Sequence, residues 1–313
     1  MSSAVSASAS NRRGRSRPAR APLWGLLLAL LLAPLAAQAQ QTTATARGPI
    51  PPPRRDVPGQ RFEIPLGQVY VPDFFDPAGT TSTDVLVFFH GAAWCAQQGF
   101  HDARRNAVLV TISLAMDEYP RRFNDPQTLD EVLTATLHKL DENDITSAPL
   151  GRVALASFSG GYSAVREILR HGRHGHLICD VVLADSLYAR RTPGTTDTLH
   201  EDDMAPFLAA ARRAAEGGAG FQFTHLHPPK PEHRGNTTSL AAEYLIRHTR
   251  LRKVPSSERT SRGARVAYVA DKGNLRISGH EGMTTQDHFE HFYAIGDLFA
   301  RTQLEGADLA PQD

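Results

Sequence analysis

The stretch Val153-Ala154-Leu155-Ala156-Ser157-Phe158-Ser159-Gly160-Gly161-Tyr162-Ser163 constrains this chain more than any other. An apolar run of strand type stops at Ser-Phe-Ser-Gly-Gly, and helical spacing begins at once and lasts to about Arg170. A strand that turns directly into a helix lifts the residue at the turn out of the sheet. Its neighbours must be small, because the two backbones nearly touch there. Ser159 stands at that point, between Phe158 and the pair Gly160-Gly161. A serine held in this way is suited to act as a nucleophile.

The rest of the chain supplies the sheet such a turn requires. Asp84 to Phe89 is a continuous apolar run, as expected of a strand buried on both faces, and Ala107 to Ile112 is a second. Leu129, Val132, Leu133, Leu137 and Leu140 form a helical stripe. Arg152 to Ala156, Val181 to Ala184, Phe221 to Leu226 and Val266 to Val269 read as further strands. Helices are expected over Leu240 to Ile246 and from about Asp287 to Arg301. Strands alternating with helices predict an α/β fold with a mostly parallel central sheet flanked by helices. Active sites in such sheets lie at the carboxyl ends of the strands. Lys272-Gly273-Asn274 reads as a hairpin turn with Leu275 to Ser278 returning antiparallel, since three residues are too few for a parallel crossover. The segment from Thr195 to about Gly220, with its alanine run, reads as an excursion between strands that could cap the site.

The ends read differently. Arg12, Arg13, Arg15, Arg17 and Arg20 precede an apolar stretch, Leu23 to Leu32, that is short for a bilayer span. Ala37-Gln38-Ala39 is a small-x-small cleavage pattern, so residues 1–39 are expected to be a signal peptide. The mature protein is then expected in the periplasm or outside the cell, with no stable membrane anchor. Residues 40–60, rich in proline, read as a flexible linker, 61–303 as the folded domain and 304–313 as a tail. Removing the five arginines of the leader, which holds no acids, takes the formal charge from +1 to −4. No basic field remains for nucleic acid. Cys95 and Cys179 fall at opposite edges of the expected sheet, too far apart for a disulfide, and are expected to be free thiols.

A serine hydroxyl needs a base, a group to orient that base, and donors for the oxyanion. With Ser157-Phe158-Ser159-Gly160-Gly161 and with His90-Gly91-Ala92-Ala93-Trp94 directly after the strand ending at Phe89, the chain resembles the α/β-hydrolase superfamily. The first glycine of the family's Gly-x-Ser-x-Gly elbow is here Ser157. The resemblance covers about Val85 to Arg301 and implies Ser159 as nucleophile, the backbone N–H groups of Ala92 and Gly160 as oxyanion donors, and Trp94 as a pocket residue. His90 is expected to brace its loop, beside Phe158 in the pocket wall. The acid is Asp185, at the end of the strand after the elbow strand, or Asp271. The base lies in the C-terminal segment, as His288 or His280. If Leu275 to His280 returns antiparallel, its end points away from the elbow, and the following loop carries His288 back. His291, one turn further on, reads as a helix residue.

What the resemblance implies is an exported serine hydrolase acting on a small-molecule or peptide acyl substrate, with no cofactor. Carboxylic-ester cleavage comes first and amide or peptide cleavage second; a non-catalytic module of the same fold is the alternative from another class. The sequence says nothing of oligomeric state. His225, at the end of a strand, is expected to line the pocket. His225, His227 and His233, or His171, His174 and His176, have no spacing that defines a tetrahedral metal site.

Overall fold

The computed structural model describes residues 50–78, 81–228 and 237–307. The expected signal peptide, the first ten residues of the linker and His233 lie outside these.

Among the described residues, ten strands form one sheet in the order β1-β2-β4-β3-β5-β6-β7-β10-β9-β8. They are β1 (Gly59–Ile64), β2 (Gly67–Pro72), β3 (Thr83–Phe89), β4 (Val108–Ile112), β5 (Leu150–Phe158), β6 (Ile178–Ala184), β7 (Gly220–His227), β8 (Val254–Pro255), β9 (Val266–Lys272) and β10 (Leu275–Glu281). The strands β4, β3, β5, β6, β7 and β10 are mutually parallel. The hairpin β1–β2 joins one edge antiparallel to β4, and β9 and β8 close the other edge with antiparallel pairings.

Every residue of β3 is buried, as its unbroken apolar run requires. Alternate side chains enter different layers, because successive residues of a strand point to opposite faces. Val85, Val87 and Phe89 pack with the face that holds α2 (Glu118–Phe123), α3 (Gln127–Glu142), α4 (Tyr162–His171), α5 (Glu201–Ala215) and α6 (Thr237–Thr249). Leu86 and Phe88 pack on the other face, with α1 (Ala93–Ala103), α7 (Thr285–Tyr293) and α8 (Ile295–Phe299). The described domain is therefore an α/β/α sandwich with the helices on both faces of a mostly parallel sheet.

Four features depart from the sequence reading. Part of the expected linker is docked: Val57 is buried, Tyr70 Oη donates to the Pro58 carbonyl at 2.6 Å, and Arg55 N–H donates to Gln98 Oε1 at 3.0 Å. Its extended backbone finds side-chain partners on β2 and α1, which hold it to the domain. The domain also runs past 303. Leu304 is buried, and the Asn106 N–H donates to the Glu305 carbonyl at 2.8 Å. The expected last helix is two helices that meet at Ala294. Finally, α5 is no cap: Met204, Phe207, Leu208, Ala211 and Ala214 are buried in the main core, so it is the crossover helix between β6 and β7.

Both cysteines are free, Cys95 buried and Cys179 half-buried.

Candidate active site

The turn after β5 has the strain that its sequence implied. Phe158 is still extended, at φ −117° and ψ 144°. Ser159 then takes φ +49°, in the left-handed region that a residue with a Cβ enters only at a cost. A single 3-10 turn over Ser159–Gly161 leads into α4. A Cβ on Gly161 would stand 2.3 Å from the Phe89 carbonyl oxygen, so the end of β3 touches the elbow backbone. A Cβ on Gly160 would meet the Met116 side chain at 2.8 Å.

Ser157 occupies the position of the first elbow glycine and is fully buried. Its Oγ lies 2.8 Å from Ser186 Oγ, and Ser186 donates to the Ser159 carbonyl at 2.8 Å. Ser186 spends its hydrogen there, so Ser157 is the donor within the pair. The departure from glycine is thus turned to a tie across the back of the elbow. Ser163 Oγ donates to the Gly160 carbonyl at 3.0 Å and is likewise engaged in holding the turn.

Asp185 follows β6 directly, at φ +39° and fully buried. Its N–H donates to the Thr224 carbonyl at 2.8 Å, and its Oδ1 accepts the Leu226 N–H at 3.1 Å. Its Oδ2 lies 2.6 Å from Nδ1 of His288. Burial disfavours the carboxylate charge, but the hydrogen bond with His288 and the other nearby donors outweigh it and hold the group at about 2. His288 sits in the first turn of α7. That helix starts with a capping box in which Thr284 accepts the Asp287 N–H at 3.2 Å and Asp287 accepts the Thr284 N–H at 2.9 Å. The cap is therefore Thr284. The imidazole of His288 stacks on Phe158, with centroids 4.5 Å apart and planes at 26°. With Nδ1–H directed at the carboxylate, Nε2 is left as the basic nitrogen. Tyr188 Oη stands 3.4 Å from the same Nδ1.

The two alternatives are set apart by different causes, strand direction for Asp271 and burial for His280. β10 runs parallel to β7, so β9 is the arm that runs against the sheet. The end of β9 therefore carries Asp271 to the opposite edge, where it is exposed and paired with Arg276. The same geometry corrects the expected direction of the return arm, whose end points toward the carboxyl edge of the sheet. His280 is there but buried: its Nε2 lies 3.1 Å from Ser278 Oγ and its ring stacks on His291 at 4.6 Å. Burial pushes it down to about 4, so it is neutral at ordinary pH.

The cavity that contains Ser159 has a volume of about 680 Å³. Met116, Pro120, Tyr162 and Tyr188 form its less polar walls, and Arg166, Arg170, Arg190 and Asp203 its charged ones. None of the four expected pocket residues lines it. His225 is fully buried, with Nε2 2.6 Å from Tyr268 Oη. Phe158 is buried beneath His288. Trp94 packs against the core on the far face of the sheet. His90 adopts φ +73° with Nδ1 3.5 Å from Tyr119 Oη, and burial and the neighbouring His288 lower its basicity, as suits a loop brace. Ala92 is the N-cap residue of α1, just after Gly91 at φ +129°. The pocket residues missed in the sequence were partly legible: Tyr162, Ser163, Arg166 and Arg170 share one face of α4, and Tyr188 and Arg190 follow Asp185 in the loop at the carboxyl edge.

Among the described residues, no three histidine, cysteine, aspartate or glutamate side chains gather as metal ligands.

No family model matches the chain, and no curated protein does. Solved structures with which it aligns include the carboxylesterase EstE1 from a metagenomic library, at 15% identity and TM-score 0.40, covering 83% of this chain and 91% of that one. An ester-hydrolase, EH1AB1, from the metagenome of Lake Arreo aligns at 13% identity and TM-score 0.40, covering 80% and 82%. The ferric enterobactin esterase of Salmonella typhimurium aligns at 12% identity and TM-score 0.45, covering 81% and 63%. These likenesses are distant. The chain's own sheet is mostly parallel with an antiparallel second strand, and the strained serine directly after β5 stands on the sharp strand-to-helix turn of a nucleophile elbow.

Proposed function

We propose that this protein is a serine hydrolase that cleaves carboxylic esters through an acyl-enzyme. The observation that carries the reading is the 2.6 Å contact between His288 Nδ1 and a fully buried Asp185, with the imidazole stacked on Phe158, the residue before the strained Ser159. In this reading Ser159 Oγ attacks the ester carbonyl carbon while His288 Nε2 takes its proton. Asp185 keeps the imidazole in one tautomer and stabilises its cationic form. The N–H groups of Ala92 and Gly160 receive the oxyanion. His288 then protonates the departing alcohol, and water attacks the acyl-enzyme by the same route in reverse. Every part is a protein group, so the reaction as drawn requires no cofactor. We propose also that residues 1–39 direct export and are removed. Sequencing the N-terminus of the exported protein tests that, and a start at Gln40 is expected.

A fluorophosphonate probe tests the chemistry. Wild type should be labelled at Ser159, Ser159→Ala should not, and His288→Ala should be labelled at least a hundredfold more slowly. His280→Ala should keep most of the rate. A folded wild type that stays unlabelled would overturn the reading and favour a non-catalytic module of the same fold.

A further inference from the structure

The charged wall of the Ser159 cavity has a definite layering. Four of its lining residues are charged, Arg166, Arg170, Arg190 and Asp203. Of the carboxylates that partner these arginines, Asp203 belongs to the wall but is almost wholly buried, and Glu167 lies outside the cavity. Asp203 is 1% exposed and accepts from Arg190 Nε at 2.9 Å and from Arg166 Nη1 at 3.2 Å. Glu167 is 3% exposed, does not line the cavity, and pairs with Arg166 Nη2 at 2.9 Å and with Arg170. Arg170 and Arg190 remain 40% and 68% exposed. Three guanidinium groups thus face two nearly buried carboxylates, which leaves the wall with a surplus positive charge. Asp202 is close to Arg190, but its carboxylate is 83% exposed and well solvated.

The arginines also lie in line with the elbow. Ser163, Arg166 and Arg170 follow one face of α4, so Arg166 and Arg170 attach about 5 and about 10 Å further along the helix axis than Ser163. Helical side chains lean toward the N-terminus, here toward Ser159. The tyrosines Tyr162 and Tyr188 and the thioether of Met116 line the intervening space. We infer that the site is built for esters that carry a carboxylate group, which the guanidinium groups of Arg170 and Arg190 receive while the ester carbonyl lies at Ser159. The inference rests on the hydrolase reading above and names the substrate class of that same site. The Nε and Nη2 side of Arg190 is taken by Asp203, at 2.9 and 3.0 Å, so a substrate carboxylate meets its Nη ends, and a guanidinium with five N–H groups can serve both. Buried Asp203 and Glu167 keep the forks in place and cannot themselves reach solvent to neutralise the outer face.

The test compares kcat/KM for two matched pairs: 4-acetoxybenzoate with its methyl ester, and monophenyl adipate with phenyl hexanoate. In wild type the anionic member of at least one pair should be preferred. That preference should fall about tenfold in Arg170→Gln or Arg190→Gln, which remove one charge-assisted contact each. It should also fall as salt is raised from 20 to 500 mM in wild type, a readout that needs no variant to fold. Neutral and anionic esters cleaved alike, or both losing rate equally in the variants, would overturn the carboxylate inference while leaving the hydrolase intact. An enzyme that neither takes the fluorophosphonate nor cleaves any of the four esters would overturn both.

Discussion

His288 Nδ1 and Asp185 Oδ2 approach to 2.6 Å across 103 residues of sequence. Three separate elements create this contact: the end of β6, the capped start of α7, and the Phe158 ring against which the imidazole lies. Asp185→Asn should keep the fold and the ring position, because the amide can still accept from Nδ1 or Leu226. It loses the charge that selects the tautomer, so kcat should drop by about 10³- to 10⁴-fold. Steady-state ester hydrolysis beside a thermal melt checks both halves; a loss below tenfold would remove Asp185 from its role.

The two elbow glycines should respond differently. Gly161→Ala drives a methyl to within 2.3 Å of the Phe89 carbonyl, a backbone group in a packed strand that cannot step aside. Loss of labelling together with a fall in Tm is expected. Gly160→Ala meets only the half-flexible Met116 side chain. Its melt should stay close to wild type, and Met116→Ala in the same chain should relieve whatever change is seen.

Phe158 gives His288 a flat surface to rest on. Phe158→Leu keeps the site apolar but removes three carbons, costs about 1–2 kcal/mol in stability, and lets the imidazole swing. The expected result is a kcat reduced about tenfold with KM within twofold, since the ring does not line the cavity. A change confined to KM would place Phe158 in substrate contact.

Stability should fall on mild acidification. His225 is pushed to about 3 and His280 to about 4 by burial, and His291 is driven well below its ordinary value for the same reason. Unfolded, each takes up a proton near 6.5. Between those limits the unfolded chain binds more protons, so the stability these residues contribute is complete above pH 6.5 and is lost as pH falls toward about 4 and below. Each buried histidine contributes a slope of up to about 1.4 kcal/mol per pH unit. Urea titrations from pH 7.5 to 4.5 should show this, and His280→Gln should flatten the curve by one proton's worth.

Much of this molecule follows from local sequence. The elbow could be read from Ser159 between Phe158 and two glycines, because only small residues permit a strand and helix to meet so closely. β3, β4, β5 and β6 could be read from their largely apolar runs, because strands buried on both faces need them. The turn at Lys272-Gly273-Asn274 was equally legible as a hairpin. Its direction was not, because a hairpin has the same residues whichever arm joins the sheet in parallel; pairing of β10 with β7 decided it, and with it the exposed fate of Asp271. Choosing between His280 and His288 was also a matter of tertiary structure. The same residue type became a buried, neutral neighbour of His291 in one place and the partner of Asp185 in the other. The cavity wall was beyond the sequence for a related reason. An arginine's pattern in a helix shows which face it is on, but only packing shows that Asp203 and Glu167 are almost wholly buried against it and that it lines the same cavity as Ser159.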